Sequence, residues 1–342
     1  MKSRSLPGVW FVLGVCLCLL GSLLSAAEVN VYSARKENLI KPLLLQFAEQ
    51  TDIKVNLITG KADALLQRIV SEGEHSPADL LITVDAGRLY RAQQAQALQP
   101  IDSKVLKDSI PGQYRDPAGY WYALSLRTRP IMYAPDRVSP EDLSTYEALV
   151  DPTWKQRICI RSSNNIYNQS LVASMLAHHG ESEALAWSRG LVGNFARSPQ
   201  GGDRDQIRAV AAGQCDLAIA NSYYLGKMLT SGDTAQRSAA EKVRIFWPNQ
   251  EGRGVHVNIS GAAVARHSKN RASAIKLLEF LVSDDAQRWY AETNFEYPVK
   301  AGIRPSEMLE NWGKFKSDIL SLHQLGELNA QAVMIMDRAH WK

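Results

Sequence analysis

Two tyrosines stand side by side at Tyr223 and Tyr224, in the stretch ANSYYLGKM, and a third, Tyr167, occurs in RSSNNIYNQS. A tyrosine commonly packs its ring and satisfies its hydroxyl at an edge, and each of the three taken singly is open to that plain reading. Taken together they suit a different chemistry. A phenol has a pKa near about 10 and is neutral at ordinary pH, but a bound metal supplies the local charge that strips its proton. Three phenolates would balance a trivalent cation, and hard cations prefer anionic oxygen, whereas thiolates and imidazoles favour softer metals. Calcium or magnesium would call for carboxylates, carbonyls and waters. No acidic cluster of that kind stands near these tyrosines, and no Cys/His spacing of the zinc type occurs. The chain carries no nucleophile elbow and no phosphate loop.

Positioning such a set falls to strands and helices in alternation. Short β-type runs at 29–32, 53–58 and 80–84 alternate with helical periodicities at 38–50, 62–72 and 86–97. That order predicts parallel pairing with right-handed crossovers. Residues 98–140 break the pattern around two strands near 121–124 and 131–134. Ser139-Pro140-Glu141-Asp142 then predicts a helix start, with a cap, a first-turn proline and acids at the positive end. The alternation resumes with strands at 157–160, 216–220, 243–247 and 257–265. The helices expected with them span 166–178, 182–195, 203–212 (capped by Asp203), 270–282, 284–291 and much of 317–338. Ligands of open α/β sheets bind outside the carboxyl ends of the strands. Tyr167 lies just past strand 157–160, and the tyrosine pair just past strand 216–220. Two αβ sections result, joined by irregular connections near 125–130 and 246–250.

The first residues, MKSRSLPGVWFVLGVCLCLLGSLLSAA, combine a basic start, an apolar run and small residues, the pattern of a cleavable signal peptide over 1–27. A retained anchor and a lipidated cysteine at Cys16 or Cys18 are the alternatives. Cleavage removes Lys2 and Arg4 from 39 basic residues, leaving 37 against 35 acidic ones, a net of +2. With no polybasic block there is no electrostatic footprint for nucleic acid. The expected location is the periplasm. There the remaining pair, Cys159 and Cys215, separated by 56 positions, either forms a disulfide or persists as two buried thiols.

RSSNNIYNQSLVASM and GQCDLAIANSYYLGKM resemble the periplasmic ferric-ion-binding proteins, the solute-binding components of ferric ABC importers. NVYSAR, SEGEHSPADLLITVDAGRLY, RGVHVNISGAAV and SDDAQRWYAETNFEYPV extend the resemblance over most of the chain. It implies a two-lobed type II periplasmic-binding-protein fold, each lobe a mixed sheet flanked by helices, with the ligand in the interlobe cleft. The lobes would be 28–127 with 249–300, and 128–248 with 301–342. The implied cargo is Fe(III), held by Tyr167, Tyr223 and Tyr224, and the implied partner is an inner-membrane ABC permease. The protein would act as a monomer and not as an enzyme. Many relatives carry a histidine where this chain has Lys36-Glu37, so the resemblance points to the subgroup that uses three tyrosines with carbonate, another anion or water. Arg127, in SLRTRP, is the first candidate to hold that anion, followed by Arg35 and Arg129; a guanidinium fork suits a planar oxyanion. Glu37 could substitute as a ligand. A carrier of a small organic or inorganic anion, using those arginines, is the alternative function. His256 alternates with valines on a strand that could aim it at the cleft. His178 and His179 read as helix-end residues, and Tyr32, Tyr120 and Tyr122 as packing or cleft wall.

Overall fold

The computed structural model describes residues 27–342; the expected signal peptide lies outside them but for its last residue. Among the described residues, nine strands form two sheets. β1 (Glu28–Ser33), β2 (Lys54–Thr59), β3 (Leu80–Val84), β4 (Tyr122–Thr128) and β9 (Val257–Val264) form the first, in the order β2-β1-β3-β9-β4. β1 runs parallel to β2 and β3, and β9 runs antiparallel to β3 and β4. β5 (Ile131–Tyr133), β6 (Ile158–Cys159), β7 (Leu217–Ile219) and β8 (Arg244–Phe246) form the second, in the order β6-β7-β5-β8. Each sheet is therefore mixed and carries helices, the expected two-lobe architecture.

The chain passes between the sheets where β4 gives way to β5 and again where β8 gives way to β9. Tyr146 ties the two passages together. Its buried hydroxyl donates to the Arg129 carbonyl at 2.6 Å and accepts from the His256 amide at 3.2 Å. β4 is an edge strand in hydrogen-bonding order, yet all seven of its residues are buried. Its outer side is closed by a bridge between Leu126 and Tyr297, which covers an edge that would otherwise be open to pairing.

Local departures from the sequence reading have local causes. The expected helix at Pro140 is a single 3₁₀ turn, Pro140–Asp142, because the following chain is drawn inward to place Tyr146. By contrast, the two helices expected at 166–178 and 182–195 are present as two segments within Ile166–Gly193, parted at Gly180, whose φ of 79° ends the first. The helix at Asp203 begins as expected but is capped from Gly202, whose amide donates to Asp205 at 2.6 Å. Asp203 itself is buried and turned toward Arg129 and Arg161.

Candidate functional site

Tyr167 is the second residue of the helix Ile166–Gly193, and Asn165 caps that helix by accepting from the Tyr167 amide at 3.2 Å. Tyr223 and Tyr224 are the second and third residues of the helix Ser222–Leu229. All three phenols therefore leave the first turn of a helix, where side chains lean back toward the N-terminus and the dipole favours negative charge. The two helices follow β6 and β7, which pair in parallel through Ile158 with Leu217 and Cys159 with Ala218. A disulfide joins Cys159 to Cys215, Cα to Cα 5.8 Å. Beside it, Asp216 accepts from Arg137 and Arg157, each at 2.6 Å.

The strand pairing brings the phenols together. The Tyr223 hydroxyl donates to that of Tyr167 at 3.5 Å, a separation compatible with two ligands of one ion. Tyr224 lies against Tyr223, with ring centroids 4.3 Å apart and planes at 34°. Arg127 donates to the Tyr167 hydroxyl at 3.4 Å, and its guanidinium carbon lies 4.3 Å from the centre of the Tyr223 ring. Burial works to raise the Tyr167 phenol, but the Arg127 charge and the bond from Tyr223 outweigh it and bring it below its ordinary value. Burial prevails at Tyr223 and Tyr224, and both are raised. Among the described residues no group of three or more His, Cys, Asp and Glu is arranged to hold a metal.

The arginines divide into two kinds. Arg35 is 4 % exposed and donates to both oxygens of Glu296, each at 3.0 Å, and to Ser260. Arg129 is as deeply buried and donates to Asp203 at 3.1 Å, Asn221 at 2.9 Å, the Ile219 carbonyl at 3.2 Å and Asn168. The donors of both are largely committed within the protein. Arg127 sits between Glu296, 3.5 Å away, and the phenols. Glu296 is the residue the sequence reading missed on this wall. Burial alone would raise its carboxyl; the charges of Arg35 and Arg127 outweigh that and hold it at about 2.

The phenols, Arg35, Arg127 and Glu296 line a cleft of about 590 Å³, together with Lys36, Arg204 and Lys227. Burial, then the neighbouring cations, lowers the Lys227 ammonium to about 8 despite Glu296. Helical spacing could have found Lys227, three residues after Tyr224 and four after Tyr223. Glu37 is exposed and pairs with Lys41 at 2.6 Å, whereas Lys36 and Asn38 line the cleft.

The remaining candidates have structural surroundings. His256 is buried beside Asp85, Arg129 and Tyr167, behind the phenols, and burial lowers it to about 3, so it is neutral. His178 bonds Asp318 and His179 bonds Glu147, each at 2.9 Å. Tyr32 is core, Tyr120 packs against the core, and the Tyr122 hydroxyl donates to the Ile101 carbonyl at 2.9 Å.

Comparison with known proteins adds relatives of high similarity. Residues 75–316 match the model of the family described as bacterial extracellular solute-binding protein. The chain is 52% identical over 315 residues to iron uptake protein A1 of Synechocystis, covering 92% of this chain and 88% of that one. The structure of Trichodesmium IdiA (FutA) in complex with iron and citrate superposes with a TM-score of 0.90 at 50% identity, over 92% of this chain and all of that one. The ferric binding protein of Campylobacter jejuni superposes with a TM-score of 0.88 at 36% identity, again over 92% of this chain and all of that one.

Proposed function

The chain belongs to the bacterial extracellular solute-binding proteins, and we propose that its solute is ferric iron, captured by the phenolates of Tyr167, Tyr223 and Tyr224. The observation that carries this reading is the approach of the Tyr167 and Tyr223 hydroxyls to 3.5 Å beside Arg127, at the mouth of two helix N-termini. Three phenolates neutralise a trivalent ion, and anionic oxygen is the donor a hard cation selects. Each must lose its proton on binding, so uptake releases protons and weakens as pH falls. Arg127 favours the ionised form of Tyr167, and the ion supplies the charge that lowers the phenols around it.

A cleft of about 590 Å³ exceeds what one ion needs, and its cations outnumber its one carboxylate. We assign the surplus to an accompanying anion, carbonate or a small carboxylate, held by Arg127 with Lys227 and Arg204. Arg35 and Arg129, tied to Glu296 and Asp203, act through position and not as free donors. The same commitment argues against the rival reading of an anion carrier built on those arginines. The segments 28–127 with 249–300, and 128–248 with 301–342, are the two lobes of a trap that closes about the passages near 129–130 and 247–256. The protein works as a periplasmic monomer, released from the segment 1–27, and passes its cargo to an inner-membrane ABC permease without turnover.

Titration of the purified mature protein with chelated ferric iron in bicarbonate tests this reading. A phenolate-to-iron charge-transfer band in the visible, saturating at one equivalent, is the expected outcome. A protein that stays colourless in excess ferric iron would overturn it.

A further inference from the structure

The helix Ser222–Leu229 meets the other lobe at Tyr223, beside Arg127, and one turn further on at a glycine. Gly226 is buried against Phe295, and a methyl in place of its hydrogen would lie 2.8 Å from the ring carbon Cγ and 3.0 Å from the methylene Cβ of that residue. Phe295 has little room to step aside. Its φ of 55° fixes a left-handed turn after Tyr290–Asn294. On one side Asn294 donates to the Leu39 carbonyl at 3.2 Å. On the other, Glu296 is clamped by Arg35, and Tyr297 exchanges two backbone bonds with Leu126, of 2.7 and 2.9 Å. Glycine is also a poor choice in mid-helix, where alanine is favoured. Its presence there calls for a reason outside the helix.

We infer that Gly226 is a positioning residue: its missing side chain lets the tyrosine helix close against Phe295, and this contact sets how near Tyr223 and Tyr224 come to Arg127 and Glu296 when the cleft shuts. The inference rests on the ferric reading above. Phe295 is the fixed stop and Gly226 the notch that receives it. Adding one methyl props the lobes apart without removing a ligand, a cation or a hydrogen bond.

The test is Gly226→Ala, read by melting of the metal-free protein, the visible band, and the rate of iron release to a competing chelator. Without metal, the open protein accepts the methyl and melts at or above the parent temperature. The band stays in place, because all three phenolates remain. Iron leaves about tenfold or more faster, the scale expected for overpacking a fitted contact. Adding Phe295→Leu to Gly226→Ala makes room for the methyl and restores slow release. Should Gly226→Ala not fold, Phe295→Trp enlarges the other side of the same contact and takes the same readouts. Release at the parent rate from Gly226→Ala, or no recovery with Phe295→Leu, would overturn the inference. A parent protein that takes up no ferric iron would overturn the ferric reading itself, before any variant is compared.

Discussion

The two walls of the cleft are built on opposite principles. On the side of the first sheet, Arg35, Arg127 and Glu296 form a buried cluster in which opposite charges face one another, with Ser125 and Ser260 filling remaining bonds. On the side of the second sheet, three phenols converge, and burial raises two of them. The Arg35–Glu296 pair of the first wall needs nothing further, and a ligand there would have to displace a fitted partner; Arg127 alone reaches past Glu296 to the phenols. The second is short of positive charge the moment its phenols ionise. Buried polarity is thus no guide to a binding site until one asks which groups are already answered. The answered cluster is scaffold, and the unanswered one is where a cation gains most.

Breaking the second wall has the largest expected effect on iron. Tyr223→Phe combined with Tyr224→Phe keeps both rings and removes both oxygens. Affinity should fall by more than the roughly 10–100-fold typical of losing an outer partner of a metal site, and the visible band should vanish while circular dichroism is unchanged. Retained colour would move the site elsewhere.

Breaking the first wall should act on the fold instead. Glu296→Gln leaves Arg35 and Arg127 buried without their counter-charge, a loss of about 3–5 kcal/mol for a broken buried pair, measured as a lower urea midpoint at constant m. The same group sets an acid dependence. Its carboxyl stands at about 2 in the folded protein, below the ordinary value of about 4.3. It therefore contributes stability in full above the ordinary value and loses it as pH falls toward 2. Iron should leave earlier in the same titration, as protons reclaim the phenolates, so colour is lost before structure. Simultaneous loss of both would erase the distinction between the walls.

The smallest effect sharpens the comparison at its border. Lys227 faces Glu296 from the tyrosine helix and stands at about 8. Above that pH its charge goes, and with it part of the attraction for an anion. The parent's anion affinity should weaken through pH 8, and Lys227→Met should be weaker below that point, by about tenfold, and flat across it. An unchanged pH profile would remove Lys227 from the anion's surroundings.

Much of this was legible in the sequence. Strand–helix alternation and the cysteine pair placed β6 beside β7, and the tyrosines fall where such strands end. The walls were less legible for a physical reason. Whether an arginine is free or committed depends on its partner, and Arg35 meets Glu296 across 261 positions. No periodicity links them. Arg129 likewise meets Asp203, which its place before a helix had marked as a cap. Local signals gave turns their residues correctly, but the helix at Pro140 yielded to the need for Tyr146 between the two passages. Gly226 stood in the most informative stretch of the chain, and its significance lies wholly in a ring 69 positions away.

The bond between Cys159 and Cys215 has a consequence for the order of events at delivery. Both strands that feed the tyrosines are fastened covalently in one sheet, so on the proposed ferric reading the two lobes would swing apart with the donor set undivided. Opening alone then uncovers the cargo but does not drop it. Unloading becomes a second, separate event requiring something that competes for the oxygens or for the charge: a proton, an electron or a rival chelating group. A carrier built this way can part its jaws at the wrong place and still keep what it holds.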